Sequence, residues 1–163
     1  MARVIDLTKK SGVNALFLKK RRMINPLESL PYLLDQSIAR WNDRLEHRLR
    51  VIELTFEEWR ILLITARLGP MNIRQLSEAT LVPHSTLGRW ATQMERSGLV
   101  KRCVVPKDNR AVGISITPKG RKVFARALPI AIDEYNTIVR TFSDQELTTL
   151  NRLLWRLYQR IKE

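Results

Sequence analysis

The stretch that most constrains this chain is 83–117, because its residue spacing admits one sequence of elements. Apolar Leu87, Trp90, Ala91 and Met94 recur at helical intervals and leave Ser85, Thr86, Arg89, Gln93 and Arg96 facing outward. Ser97-Gly98 then predicts the helix stop, since glycine takes the left-handed conformation without strain. Two β-rich runs follow, 100–105 and 111–116, joined by the turn-forming Pro106-Lys107-Asp108-Asn109-Arg110. A helix leading into a basic hairpin predicts a winged helix.

The residues upstream complete the motif. Asn72 and Gln75 form a capping pair for a short helix over 72–79, with Ile73, Leu76 and Ala79 predicted inward. A tight turn, Thr80-Leu81-Val82-Pro83, joins it to the helix above, which makes a helix-turn-helix whose second helix can enter a major groove. Before that, Thr55 and Glu58 read as a capping box for a helix burying Trp59, Leu62, Leu63 and Ala66, stopped by Gly69-Pro70.

Long amphipathic helices flank this unit. Leu34, Ile38, Trp41, Leu45, Leu49 and Ile52 recur every three or four residues across 30–51, with Pro31 in the first turn. Thr117-Pro118 opens a helix carrying Val123, Phe124, Ala127, Leu128, Ile132, Tyr135, Ile138 and Val139, with Pro129 inside it. Ser143 and Glu146 cap a last helix whose stripe is Leu147, Leu150, Leu154, Leu157 and Ile161. The fold expected is mainly α: a winged helix-turn-helix with a small β-hairpin wing plus long N- and C-terminal dimerisation helices. The expected organisation is a basic arm at 1–28, a dimerisation helix at 29–54, a DNA-binding region at 55–117 and C-terminal dimerisation helices at 118–163. Leu34, Ile38 and the C-terminal stripe form the expected homodimer contact.

Charge points to the partner. The chain has 29 Lys and Arg against 16 Asp and Glu, a net charge of +13. Between Pro83 and Val123 the positives are Arg89, Arg96, Lys101, Arg102, Lys107, Arg110, Lys119, Arg121 and Lys122, opposed by Glu95 and Asp108 alone. Clustering of this kind around a helix and hairpin favours nucleic acid over mere solubility, and the helix-turn-helix makes double-stranded DNA the expected partner. No membrane partner is expected, because no helix pairs a wholly basic face with an aromatic insertion face. A single cysteine, Cys103, excludes an internal disulfide and fits a reducing compartment. The apolar run at 15–18 is too short for a signal-peptide core, so a cytoplasmic protein is expected. His47 and His84 have no partners at metal-ligand spacing, so no metal is expected, and no phosphate loop or nucleophile elbow suggests an enzyme.

Taken in order, Ser85-Thr86-Leu87-Gly88-Arg89, Gly98-Leu99-Val100-Lys101-Arg102, Asp108-Asn109-Arg110-Ala111 and Ile116-Thr117-Pro118-Lys119-Gly120 resemble the MarR family of bacterial transcriptional regulators. The resemblance covers residues 30–163. It implies a homodimer whose first and last helices interlock and whose two winged helices bind a pseudo-palindromic operator. It also implies that Ser85, Thr86 and Arg89 face the major groove, that Arg110 reaches the flanking minor groove, and that Asp108 stabilises the wing. Pro83-His84 and Gly88 depart from the usual pattern of the recognition helix.

Physical chemistry assigns the remaining roles. Arg89 can read guanine bidentately or hold a phosphate, and the sequence leaves both open. Lys101, Arg102 and Lys107 suit phosphate contacts, and Arg74, His84, Arg96 and Asn109 complete the expected DNA-binding set. The resemblance further implies a repressor relieved by a small aromatic or phenolic anion. Tyr32, Arg40, Trp41, Arg44, His47 and Arg60 are the expected effector residues, mixing aromatic surface with positive charge; no other cofactor is expected. Two alternatives stand beside this reading: a basic protein that binds nucleic acid without sequence preference, and a regulator that senses oxidants through Cys103.

Overall fold

The computed structural model describes residues 28–105 and 108–162, with side chains described outside 105–111. The expected basic arm therefore lies outside the described residues, save Glu28. The described residues fall into two units divided between Trp41 and Asn42. Helix α1 (Leu30–Leu49) carries residues of both and continues as a 3-10 turn, Arg50–Ile52, so the predicted helix ends two residues early. Among the described residues no helix is long and apolar enough to cross a membrane.

In the larger unit, α2 (Phe56–Leu68) opens on a capping box. Thr55 Oγ1 accepts from the Glu58 N–H at 3.2 Å, and Glu58 Oε2 accepts from the Thr55 N–H at 3.0 Å. Asn72 and Gln75 repeat this device at α3 (Ile73–Thr80), with bonds of 2.8 and 2.9 Å. Helix α4 (His84–Arg96) follows, then strand β2 (Val100–Val105), strand β3 (Asp108–Ile116), α5 (Pro118–Val139) and α6 (Asp144–Lys162). A short strand, β1 (Met71–Asn72), pairs antiparallel with β3, giving a three-stranded sheet of order β1-β3-β2.

The structure also departs from the sequence expectation in the sheet, the wing and α3. The sheet has a third strand, because two residues between Gly69-Pro70 and α3 suffice to pair with Ile114 and Gly113. Strand β3 begins at Asp108, inside the predicted turn, with a register irregularity at Val104/Val105. Ala79 is exposed and Thr80 takes the buried place, its hydroxyl donating to the Leu76 carbonyl at 2.7 Å. That internal bond is what lets a polar residue occupy the apolar stripe.

One core holds these elements. Leu62, Leu76, Leu87 and Met94 are fully buried where α2, α3 and α4 meet, and Val100, Ile114 and Ile116 close it from the sheet. Trp59 of α2 stacks on Phe124 of α5 with ring centroids 5.5 Å apart, anchoring the long helix to the winged unit. Thr117 Oγ1 accepts from the Gly120 N–H at 2.9 Å, and Pro118 sits in the first turn of α5, as the sequence predicts.

No residue of α6 is buried. Leu147, Leu154 and Leu157 are half-buried, while Leu150, Leu153, Trp155, Tyr158 and Ile161 are exposed. In the smaller unit Leu30, Leu33, Leu34 and Ile38 are likewise exposed.

Candidate nucleic-acid interface

The inner face of α4 is buried through Leu87, Ala91 and Met94, which fixes its rotation. Its outer face is a shallow groove lined by Ser85, Gly88, Arg89, Thr92, Gln93 and Arg96. Ser85, Arg89, Gln93 and Arg96 are exposed and Thr86 is half-buried. Pro83 occupies the cap position and supplies no side-chain hydrogen bond, so the first-turn amides beside exposed His84 stand uncapped at the positive end of the helix dipole.

Side chains pin the turn that sets the angle of α4. Arg60 Nη2 donates to the Thr80 carbonyl at 2.6 Å, Ser77 Oγ donates to the Val82 carbonyl at 2.7 Å, and the Val82 N–H donates to Thr80 Oγ1 at 3.3 Å. Leu81 takes a left-handed conformation, φ 57°, to close α3. The Arg60 guanidinium also lies 5.6 Å from the Phe56 ring centroid, so its charge is engaged inside the fold.

The wing starts from a fastened corner. Gly98, at φ 74°, ends α4, and Lys119 Nζ donates to the Ser97 carbonyl at 2.7 Å. Arg102 joins β2 to α4 through Glu95, with an Nε to Oε2 distance of 3.0 Å. Lys101 is exposed on the other face of β2, opposite Ser115. Cys103 is half-buried opposite Gly113. Arg74 on α3 is exposed and pairs with Glu78 at 3.1 Å. Lys107 lies outside the described residues, as do the side chains of Asp108, Asn109 and Arg110, whose backbone opens β3.

A second polar cluster joins α1 to α5. Glu134 is 1 % exposed, accepting from Arg44 Nε at 2.5 Å and from Arg48 Nη1 at 3.1 Å; Arg48 Nη2 also donates to Asp133 at 2.6 Å. The Arg44 bond, aided by Arg48, holds the Glu134 carboxyl below its ordinary value of 4.5 against the opposing effect of burial. Arg44 and His47, both expected effector residues, line a hollow here with Asp43, Arg48 and Glu134. Tyr32 and Trp41 are half-buried and Arg40 is exposed in the smaller unit. Sequence reasoning missed Glu134 and Arg48. The available signal was an Arg44–Arg48 pair one helical turn apart and a carboxylate interrupting the apolar pattern of α5.

Because its folded-state pKa is depressed, Glu134 contributes stability above about pH 4.5 that is lost as pH falls through the lower folded value. Glu134→Gln is expected to lower the melting temperature at pH 7 by about 5 °C, since breaking a partly hydrated ion triad costs about 2 kcal/mol. Thermal melts from pH 7 to pH 3 check this: the variant should lose less stability on acidification than the unsubstituted protein.

Comparison with known proteins places this geometry. A model of the MarR family matches residues 52–111, from the residues before α2 into strand β3. The homoprotocatechuate degradative operon repressor of Escherichia coli is 32% identical over 101 residues, 62% of this chain and 68% of that protein. Among solved structures, the transcriptional regulator PA3341 superposes with a TM-score of 0.77 at 29% identity, covering 82% of this chain and 98% of that one. A mutant MarR from E. coli, solved in complex with operator DNA, superposes with a TM-score of 0.72 over 87% of this chain and 97% of that one. At 20% identity this last likeness is one of fold.

Proposed function

This chain belongs to the MarR family of transcriptional regulators, and we infer from its geometry that it is a repressor that binds an operator as a homodimer. The observation that carries this reading is the outer face of α4. Ser85, Arg89, Gln93 and Arg96 stand exposed on a helix whose opposite face is locked into the core, beside a strand hairpin rooted in basic residues. Such a helix presents base-edge donors in the major groove while Lys101 and Arg102 meet phosphates.

The apolar surface left on α6 supports the homodimer. A face with Leu150, Leu153, Trp155, Tyr158 and Ile161 exposed is a protein interface rather than a solvated surface. A twofold dimer presents two α4 helices to half-sites about 34–36 Å apart, so the operator is an inverted repeat. An anionic effector fits the reading through the Arg44, His47 and Arg48 hollow, where a carboxylate would compete with Glu134 for the two guanidinium groups.

Arg89→Ala tests the central assignment. It is expected to weaken operator binding by about ten- to a hundredfold, the range of a good bidentate contact, without lowering the melting temperature. Loss of preference at one base pair assigns Arg89 to a base edge, whereas a uniform loss with a shallower salt dependence assigns it to phosphate. Unchanged affinity for operator counts against the α4 face as the reading surface.

A further inference from the structure

Arg102 stands opposite Ile114, on the core-facing side of β2, yet its guanidinium reaches sideways to α4. Nε donates to Glu95 Oε2 at 3.0 Å and Nη2 donates to Thr92 Oγ1 at 3.4 Å. The Thr92 hydroxyl itself donates to the Gly88 carbonyl at 3.0 Å, which turns its lone pairs toward the arginine. Thr92 and Glu95 lie three residues apart and so share one face of α4. More than half of the Arg102 side chain, 53 %, remains exposed. Thr117 Oγ1 donates to the Gly98 carbonyl at 2.6 Å across the same corner, so the base from which Arg102 reaches is rigid.

The pair is costly in two ways if its role is only structural. Exposed ion pairs add little to folding stability. A carboxylate on a surface that meets a polyanion repels it. Both facts fit a carboxylate whose use lies in orienting the arginine. We propose that Glu95 and Thr92 are positioning residues for duplex DNA, aiming Arg102 at the phosphate strand that passes between the groove entered by α4 and the groove reached by the wing. This rests on the DNA-binding reading above and adds to it a reason for a negative charge at the interface.

The test is the sign of one substitution. Glu95→Gln in the full chain is titrated against the operator selected by the unsubstituted protein and against a scrambled duplex of the same length. If net charge alone mattered, losing a carboxylate would tighten both. Positioning at a phosphate predicts operator binding weakened about five- to tenfold and the scrambled duplex weakened with it, at an unchanged melting temperature. Arg102→Lys keeps the charge but not the fork that spans two acceptors, and is expected to lose the same factor. Adding Glu95→Gln to Arg102→Lys should then change little. A rise in both affinities, an unchanged operator affinity, or a parallel fall in both with a lower melting temperature overturns the proposal. Failure of the unsubstituted protein to prefer any duplex would instead bring down the DNA-binding reading, and this proposal with it.

Discussion

Gly120→Ala is expected to lower the melting temperature by about 10 °C or to prevent folding altogether. A Cβ at this position would lie 2.1 Å from the Leu99 carbonyl oxygen and 2.9 Å from Ile116 Cγ1. The oxygen cannot retreat easily, because it accepts from the Thr117 N–H at 3.1 Å. Moving it would unfasten the cap of α5 and the end of β3 together. Overpacking against held backbone costs about 3 kcal/mol or more, which in a chain of this size gives the shift stated. Gly88→Ala is the control: its added Cβ meets nothing within 4 Å, and an alanine inside a helix should raise stability slightly. Differential scanning calorimetry of both variants checks the contrast, and a Gly120→Ala protein as stable as the unsubstituted one would show that α5 does not approach Leu99 this closely.

Leu154→Asp is expected to yield monomers and to weaken operator binding by about 10²–10⁴-fold. Placing a carboxylate on the α6 stripe desolvates a charge wherever that stripe is covered by a second copy. Losing the second copy turns a two-site attachment into a single one, which removes the gain from effective concentration. Leu154 is half-buried, so the same experiment is run with Leu150→Asp, at a position already 37 % exposed and therefore not needed for folding the protomer. Sedimentation equilibrium reads the outcome. Dimers that persist in both variants, with circular dichroism unchanged, would place the interface elsewhere.

Much of this architecture was legible in the residue order because local rules and tertiary packing agree there. Thr55/Glu58, Asn72/Gln75 and Thr117-Pro118 each announce a helix start, and each cap forms as spaced. The polar outer face of α4 was legible for the same reason: Leu87, Ala91 and Met94 go inward and Arg89, Gln93 and Arg96 are left outside. What escaped depends on partners distant in the chain. Strand β1 is two residues long and has no periodicity of its own; it exists because β3 lies beside it. Glu134 reads as a helix surface residue until Arg44 and Arg48, 90 and 86 positions earlier, are folded against it. Arg60 and Arg102 illustrate the converse. Their charge is plain in the sequence but their partners are not, and the structure ties one to the turn before α4 and the other to Glu95. Charge counts locate a surface but do not say which cations are already engaged.

The central claim is that the α4 face reads sequence. The most direct measurement selects bound fragments from random duplex DNA and titrates the winner against scrambled duplex at physiological salt. The expected winner is an inverted repeat with half-sites about one helical turn apart, bound about a thousandfold or more tighter than the competitor. Equal affinity for winner and competitor, with a steep dependence on salt, would contradict it and leave a protein that holds nucleic acid by charge alone.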